Sequence, residues 1–385
     1  MGFYNFEVGD DLVCFLKLQS AFAPLKAAAT DAFRARTLAL GDTKDRPFPG
    51  DRRGTRSRME RVEGRQPVLP WSTTVVFRPS GALGTVPDIG DLLKMAMGTE
   101  TATPDTSVVY SLLKDPTALC ATIYRKLTSM VELVYGAIVQ RMRISWSGSD
   151  FVTIEFSGVA KAFGEAGTTT TSGTNATTGS TGVTVADADF LTAWGVVQVG
   201  DFTASGAGFQ VQSVSYVGET IVLDAVVTYN TGQSVAPYLP TPTLTGNPLH
   251  AAGRATLSLD GGSTTIGHVN GYVEVSTGLD LLNEEAHTAS ANDVIMSAQR
   301  EVSFGFELLL KKDETYRMSH FRRKVSHDLQ IILGDTSGEK MQIDMNTCEI
   351  DPAPRDIPDS GPGRIPLTGV ALGSSGEDEL TLTLI

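Results

Sequence analysis

Val134-Tyr-Gly-Ala-Ile-Val-Gln-Arg-Met-Arg-Ile-Ser-Trp146, followed after a short break by Phe151-Val-Thr-Ile-Glu-Phe-Ser-Gly158, is the stretch on which the fold turns. Ile138, Met142, Ile144 and Trp146 recur with a period of two, the mark of a strand that buries one face. Gly148, Ser149 and Asp150 between the runs have the composition of a tight turn. The reading is a hairpin of strands over Ala137 to Trp146 and Phe151 to Phe156, and therefore an antiparallel, mainly β protein.

The flanking sequence extends this sheet. Leu119 to Arg125 reads as a strand, as does Gln66 to Arg78 with Val68, Trp71, Val75 and Phe77. Between them Ile89, Leu92, Leu93, Met95, Ala96 and Met97 have the three-to-four spacing of a short amphipathic helix, stopped by Gly98. Leu12 to Leu18 is a further candidate strand, and Ala27 to Leu40 has helix-forming composition with a poorly defined apolar face. Downstream, strands are expected around Thr256 to Leu259, Gly271 to Val275, Arg300 to Leu310, Leu329 to Leu333, Met341 to Asp344 and Gly363 to Val370. The closing run puts Leu380, Leu382 and Leu384 on one face of a last strand, fixed rather than frayed.

The middle differs in kind. A Thr/Gly-rich run at residues 168–182 cannot build a core and reads as a flexible linker. A strand-rich segment follows over 183–250, closing on Pro237, Pro240, Pro242 and Pro248. From Ala162 to Gly253 there is no Lys or Arg, against six acidic residues. This break marks an inserted β domain projecting from the main body.

The parts on either side echo one another. Phe156-Ser-Gly-Val-Ala160 has a counterpart in Leu367-Thr-Gly-Val-Ala371, and Gln66 to Arg78 has one in Gln299 to Lys311. The same order of elements on both sides implies a duplicated domain. The expected division is a strand and extended basic arm at 1–65, a first domain at 66–167, the linker, the insert, and a second domain at 251–385. Gly158 and Gly369 are read equally as close-approach or permissive surface glycines.

Composition excludes several roles. A net charge of −13 argues against wrapping nucleic acid. Charged residues are 19% of the chain, below the roughly one quarter usual in soluble domains, which fits a surface partly covered by neighbours. Cys14, Cys120 and Cys348 are far apart and read as buried thiols of a protein made in a reducing cytoplasm. The start lacks a secretion signal, and no apolar run reaches eighteen residues. No phosphate-binding glycine loop, zinc motif or nucleophile elbow is present. His320 and His327 are better read as part of a basic loop than as ligands, and Glu284, Glu285 and Asp313 pair with no identifiable nucleophile. No enzyme activity, cofactor or metal is expected.

From Lys44 to Arg65 the chain carries eight Lys or Arg against four Asp or Glu. This reads as a solvated arm or as one lying across an acidic neighbour, where arginines form forked hydrogen bonds. Arg46, Arg52, Arg53, Arg56, Arg58, Arg61 and Arg65 are accordingly candidate contacts between subunits. So are Asn283, Glu284 and Glu285 on the polar loop running to Val294.

Four segments, Val75 to Gly81, Pro87 to Gly98, Val134 to Trp146 and Phe151 to Gly158, together with Ile365 to Ile385, resemble the tail tube proteins of bacteriophages with long, flexible, non-contractile tails. The resemblance spreads over most of residues 60–165 and 255–385 as diffuse strand patterns. It implies tail-tube-type β-sandwich or barrel domains, each flanked by a short helix or loop. It also implies a virion protein, synthesised in the host cytoplasm, that forms stacked rings around a channel. Six domains usually make a ring, so a duplicated chain implies a pseudo-hexameric trimer. The implied partners are copies of itself, the tape measure and tail terminal proteins, and genomic DNA in transit without specific binding; no membrane anchoring is implied. The insert would be an outer decoration, possible glycan binding included. Two other readings are a head decoration or adaptor protein, and a carbohydrate-binding β protein with Trp71, Trp146 and Trp194 as stacking platforms.

Overall fold

The computed structural model describes residues 13–19, 27–41, 67–116, 120–126, 131–165, 167–168, 173–174, 183–185, 196–199, 209–215, 220–224, 228–229, 231–251, 254–259, 264–285, 290–309, 326–352 and 363–385. The arginines from Arg46 to Arg65, Trp194 and His320 lie outside them. The first part runs β1 (Val13–Gln19), β2 (Ala32–Phe33), β3 (Thr37–Leu40), β4 (Leu69–Val76), α1 (Gly90–Met97), β5 (Gly98–Thr103), β6 (Ser107–Leu112), β7 (Cys120–Lys126), β8 (Val131–Ser147), β9 (Thr153–Ala160) and β10 (Ala162–Glu165). The middle holds β11 (Gly167–Thr168), β12 (Gly173–Thr174), β13 (Val183–Thr184), β14 (Val196–Val199), β15 (Phe209–Ser215), β16 (Thr220–Leu223), β17 (Thr228–Tyr229) and β18 (Ser234–Pro237). The last part comprises β19 (Ala255–Leu259), β20 (Thr264–Ile266), β21 (His268–Ser276), β22 (Leu279–Leu282), β23 (Asp293–Met296), β24 (Glu301–Leu309), β25 (His327–Leu333), β26 (Met341–Pro352), β27 (Arg364–Ala371) and β28 (Thr381–Leu384).

The protein is mainly β, and its strand pairs are antiparallel. The expected hairpin is β8 and β9, in which Ile144 stands opposite Ile154. α1 forms where the sequence spacing puts it: Leu92, Leu93, Met95, Ala96 and Met97 are buried, and Gly98 ends it at φ +112°. Ala27 to Leu40 is not a helix. Asp31 turns its carboxylate onto the Ala28 amide at 2.6 Å, closing a single 3-10 turn. Phe33 and Leu38 then enter the core from extended backbone, because no helical face of this segment gathers its apolar residues. The last strand is fixed as expected, lying between β26 and β6 with Leu380, Leu382 and Leu384 buried. Burial pushes the three thiols up, Cys14 and Cys348 to about 12 and Cys120 to about 11, so they stay protonated and unreactive.

The first and last parts share one pairing order. In the first, β2-β1-β7-β8-β10 are successive neighbours along the early residues of β8, and β3-β4-β9-β8 along its later ones. In the last, β20-β19-β25-β26-β28 and β21-β24-β27-β26 repeat that pattern around β26. Registers match as well. Trp71 is opposite Gly158 and Phe304 opposite Gly369, with Val139 and Ile350 on the far sides of those glycines. The sequence echo therefore falls on equivalent positions of two equivalent strand sets.

Close approach explains the two glycines. A Cβ on Gly158 would lie 1.9 Å from the Ile138 carbonyl oxygen, and one on Gly369 would lie 2.3 Å from that of Glu349 and 2.5 Å from the Phe304 ring. At Gly369 the Phe304 ring opposite occupies that space, and at Gly158 the Trp71 opposite donates its indole N–H to the same Ile138 carbonyl at 3.0 Å. Gly158→Ala and Gly369→Ala are each expected to cost about 1–3 kcal/mol through overpacking. Gly148→Ala, whose Cβ would meet only the Val269 carbonyl oxygen at 3.5 Å, serves as the neutral control in urea unfolding.

The middle segment does not simply project. Its strands form a six-stranded sheet, β11-β18-β14-β15-β16-β13, to which Gly167 and Thr168 of the Thr/Gly-rich region belong. The apolar side of this sheet shares one core with Phe15, Tyr124, Val131 and Leu133 on the main body. The row Phe15, Tyr124, Leu133 across β1, β7 and β8 corresponds to Ser258, Gln330, Asp344 across β19, β25 and β26. There the face is polar, with Ser258 buried, Gln330 and Asp344 partly exposed, and Gln330 and Gln342 donating to Asp344 at 2.9 and 2.8 Å. Each large apolar side chain left uncovered would forfeit about 1.5–3 kcal/mol of burial. Replacing residues 167–237 with a short Gly/Ser linker is thus expected to give an aggregating protein. Adding Phe15→Ser, Tyr124→Gln, Val131→Gln and Leu133→Asp should restore solubility, as read by light scattering.

Candidate assembly surfaces

The two strand sets meet along an antiparallel seam in which β21 lies on β8, from Asn270 opposite Ser147 to Ser276 opposite Arg141. The alternation that buries Met142, Ile144 and Trp146 turns Arg141 and Arg143 to the other face, where Tyr272 and Glu274 of β21 meet them. Arg141 holds Glu274 by a two-pronged pair, Nε to Oε1 and Nη2 to Oε2, both 2.6 Å. Arg143 adds a contact to Glu274 at 3.5 Å and stacks 4.0 Å from the Tyr272 ring centroid. On the buried face Gly271 leaves room for the Trp146 ring, since a Cβ there would lie 2.6 Å from it. The indole N–H donates to His268 Nε2 at 3.1 Å.

Two further contacts brace this seam. β6 of the first part pairs with β28 at the C-terminal end, Tyr110 opposite Leu382. Arg300 spans the same junction, donating to the Leu113 carbonyl at 3.1 Å and to Glu379 at 3.1 Å. The hairpin of β22 and β23 crosses back over the first part, packing Leu279, Leu281 and Ala291 against Ile138 and Cys120 with Val68 and Val159 alongside. Gln140 donates to the Leu279 carbonyl at 3.2 Å and to Asp280 at 3.3 Å.

Among the candidate contact residues, Asn283, Glu284 and Glu285 lie on the connection between β22 and β23, with Glu284 exposed and Glu285 accepting from Asn292. The structure does not bring them to the seam. The residues that form it, Arg141, Arg143, Tyr272 and Glu274, were not singled out from the sequence. Their signal is present as the polar half of the alternation that identifies the strands. Trp71 and Trp146 are 2% and 4% exposed and serve the core, not a stacking platform.

Among the described residues, two of the framework's unpaired edges set the strand sets apart. β3 has β4 alone, whereas its counterpart β21 lies between β24 and β8. Asp351 and Pro352 of β26, the counterparts of Arg141 and Met142, have β27 alone, whereas Arg141 and Met142 of β8 have both β9 and β21; the continuation past Pro352 lies outside the described residues. No family model matches this chain, and no curated protein matches it.

The Arg141 bond holds the Glu274 carboxyl below its ordinary value of 4.5, aided by the charge of Arg143 and opposed by burial. A depressed carboxyl contributes stability above the unfolded-state value and loses it as pH falls through the folded-state one. Because Arg141 and Glu274 are partly exposed, the pair is worth no more than about 1 kcal/mol. Glu274→Gln is expected to lower stability by that amount at pH 7. The difference from the unmodified chain should vanish once pH falls below the Glu274 value, as followed by urea midpoints across pH.

Proposed function

We propose that this chain is a non-catalytic structural subunit whose copies join head to tail into closed rings, three chains to a ring, and that the rings stack into a tube of the phage tail type through which DNA passes. The two strand sets are read as duplicated tube domains, and the middle sheet as an outer decoration.

One observation carries the proposal: among the described residues the chain contains one copy of a joint and two strand edges that correspond to its separate halves. β21 completes β8 within the chain, while among the described residues β3 has no equivalent of β8 beside it and Asp351 and Pro352 of β26 have no equivalent of β21. An exposed strand edge is a template for another chain. Because the two unfilled halves differ, the contact is heterologous, and copies add until the rotation closes or continues as a filament. Two equivalent sets per chain give six around a ring of three. The acidic chain, with its net charge of −13, suits a wall past which nucleic acid slides without being held.

The alternative of a carbohydrate-binding protein loses two of its three candidate stacking platforms, Trp71 and Trp146, to the core. Purified full-length protein is expected to sediment as a species three times the 40.9 kDa chain and to form hollow particles. Cryo-electron microscopy of those particles should show threefold symmetry with six similar inner units. Six chains per ring, or a monomer at every concentration, rejects the proposal.

A further inference from the structure

The strand repeat identifies a sheet face that has a cover in one set and, among the described residues, none in the other. In the first set, Ile138 of β8 and Val159 of β9, with Val68 just ahead of β4, lie beneath the hairpin that joins β21 to β24. Matching the two registers through Gly158 and Gly369 puts Glu349 where Ile138 stands, Val370 where Val159 stands and Glu301 where Val68 stands. Asp351 takes the place of Arg141. Glu301, Glu349 and Asp351 are exposed, and none has an ion pair or side-chain hydrogen bond among the described residues. The apolar patch has become acidic and has no cover among the described residues.

The covering segments have changed in the opposite sense. The one between β21 and β24 presents Leu279, Leu281 and Ala291 to an apolar face. Its counterpart in chain order joins β3 to β4 and carries the eight Lys or Arg between Lys44 and Arg65. We propose that the face bearing Glu301, Glu349 and Asp351 docks a second copy of this chain through the basic segment that joins its β3 to its β4. The inference rests on the head-to-tail reading and names the chemistry of that joint. Within a chain the cover is apolar on apolar; between chains it is basic on acidic. The difference also sets order. A basic segment could lie on the first set only by displacing the apolar hairpin from Ile138 and Val159, and it would then meet Arg141 and Arg143, so it discriminates against that set and in favour of the acidic one.

The test uses the full chain in sedimentation velocity from about 50 to about 500 mM salt, a range that spans strong and weak screening. One variant carries Glu301→Lys, Glu349→Lys and Asp351→Lys, and a second carries Arg52→Glu, Arg53→Glu, Arg56→Glu and Arg58→Glu. A third combines all seven changes. Circular dichroism and thermal melting, unchanged in each, establish that these surface variants fold. Each single set is expected to raise the concentration needed for association by at least about tenfold at low salt, with the gap narrowing at high salt. The combined variant should recover most of that loss. Association of the face variant equal to that of the unmodified chain overturns the inference while leaving the head-to-tail reading intact. So does an arm variant that loses only binding to a DNA duplex, which would assign the segment to nucleic acid. An unmodified chain that stays monomeric throughout overturns both.

Discussion

Backbone hydrogen bonding along β8 is the constraint from which the rest follows. Seventeen residues of one strand serve two neighbourhoods: β7 and β10 flank its first half, β9 and β21 its second. An extended strand of that length cannot stay exposed along either edge without inviting another chain. It therefore gathers partners from residue 120 to residue 276 and ties the two strand sets together before any side chain is considered. Its early residues are buried on both faces, Val131, Leu133 and Val134 among them, with Glu132 tolerated there because Arg125 donates to it.

That double burial explains how far the sequence could be read. From Gln140 to Trp146 one face is solvent-facing or polar, the alternation is visible, and the strand is placed correctly. From Val131 to Gly136 neither face signals water, so periodicity disappears although the strand does not. β5 and β6 were invisible for a different reason. Gly98-Thr-Glu-Thr-Ala-Thr103 has little apolar content, and its hairpin is secured by β28, some 270 residues later in the chain. Local pattern carries no information about so distant a partner. The correspondence between the two strand sets, by contrast, was legible at Gly158 and Gly369, because close backbone approach at both leaves no room for a Cβ.

The candidate surfaces were less legible than the fold. Polar positions of a strand look alike in sequence whether they face water, a partner strand or another chain. Arg141 and Glu274 become distinct from Glu155 or Thr368 only when β21 is laid on β8, which requires the register. The charge of the segment from Lys44 to Arg65 could be read directly, but the surface complementary to it could not, since Glu301 and Glu349 are 48 residues apart and meet only through β27.

Comparing the two strand sets position by position turns divergence into information about neighbours. Where both have the same surroundings, as at the glycine rows, the residues still correspond. Where one set carries the middle sheet and the other does not, Phe15, Tyr124 and Leu133 stand against Ser258, Gln330 and Asp344. Where one lies under an apolar hairpin, Ile138 and Val68 stand against Glu349 and Glu301. The backbone hydrogen bonds are the same in each comparison, so secondary-structure preference does not account for the change. What differs is the medium on the outer side of the sheet. Partial exposure to water selects Gln330 and Asp344 with the hydrogen bond between them, and an apolar cover selects Phe15 and Ile138. Three carboxylates without a partner among the described residues fit neither medium well, since like charges on one sheet face repel. They are the mark of a third kind of surroundings, a surface of opposite charge.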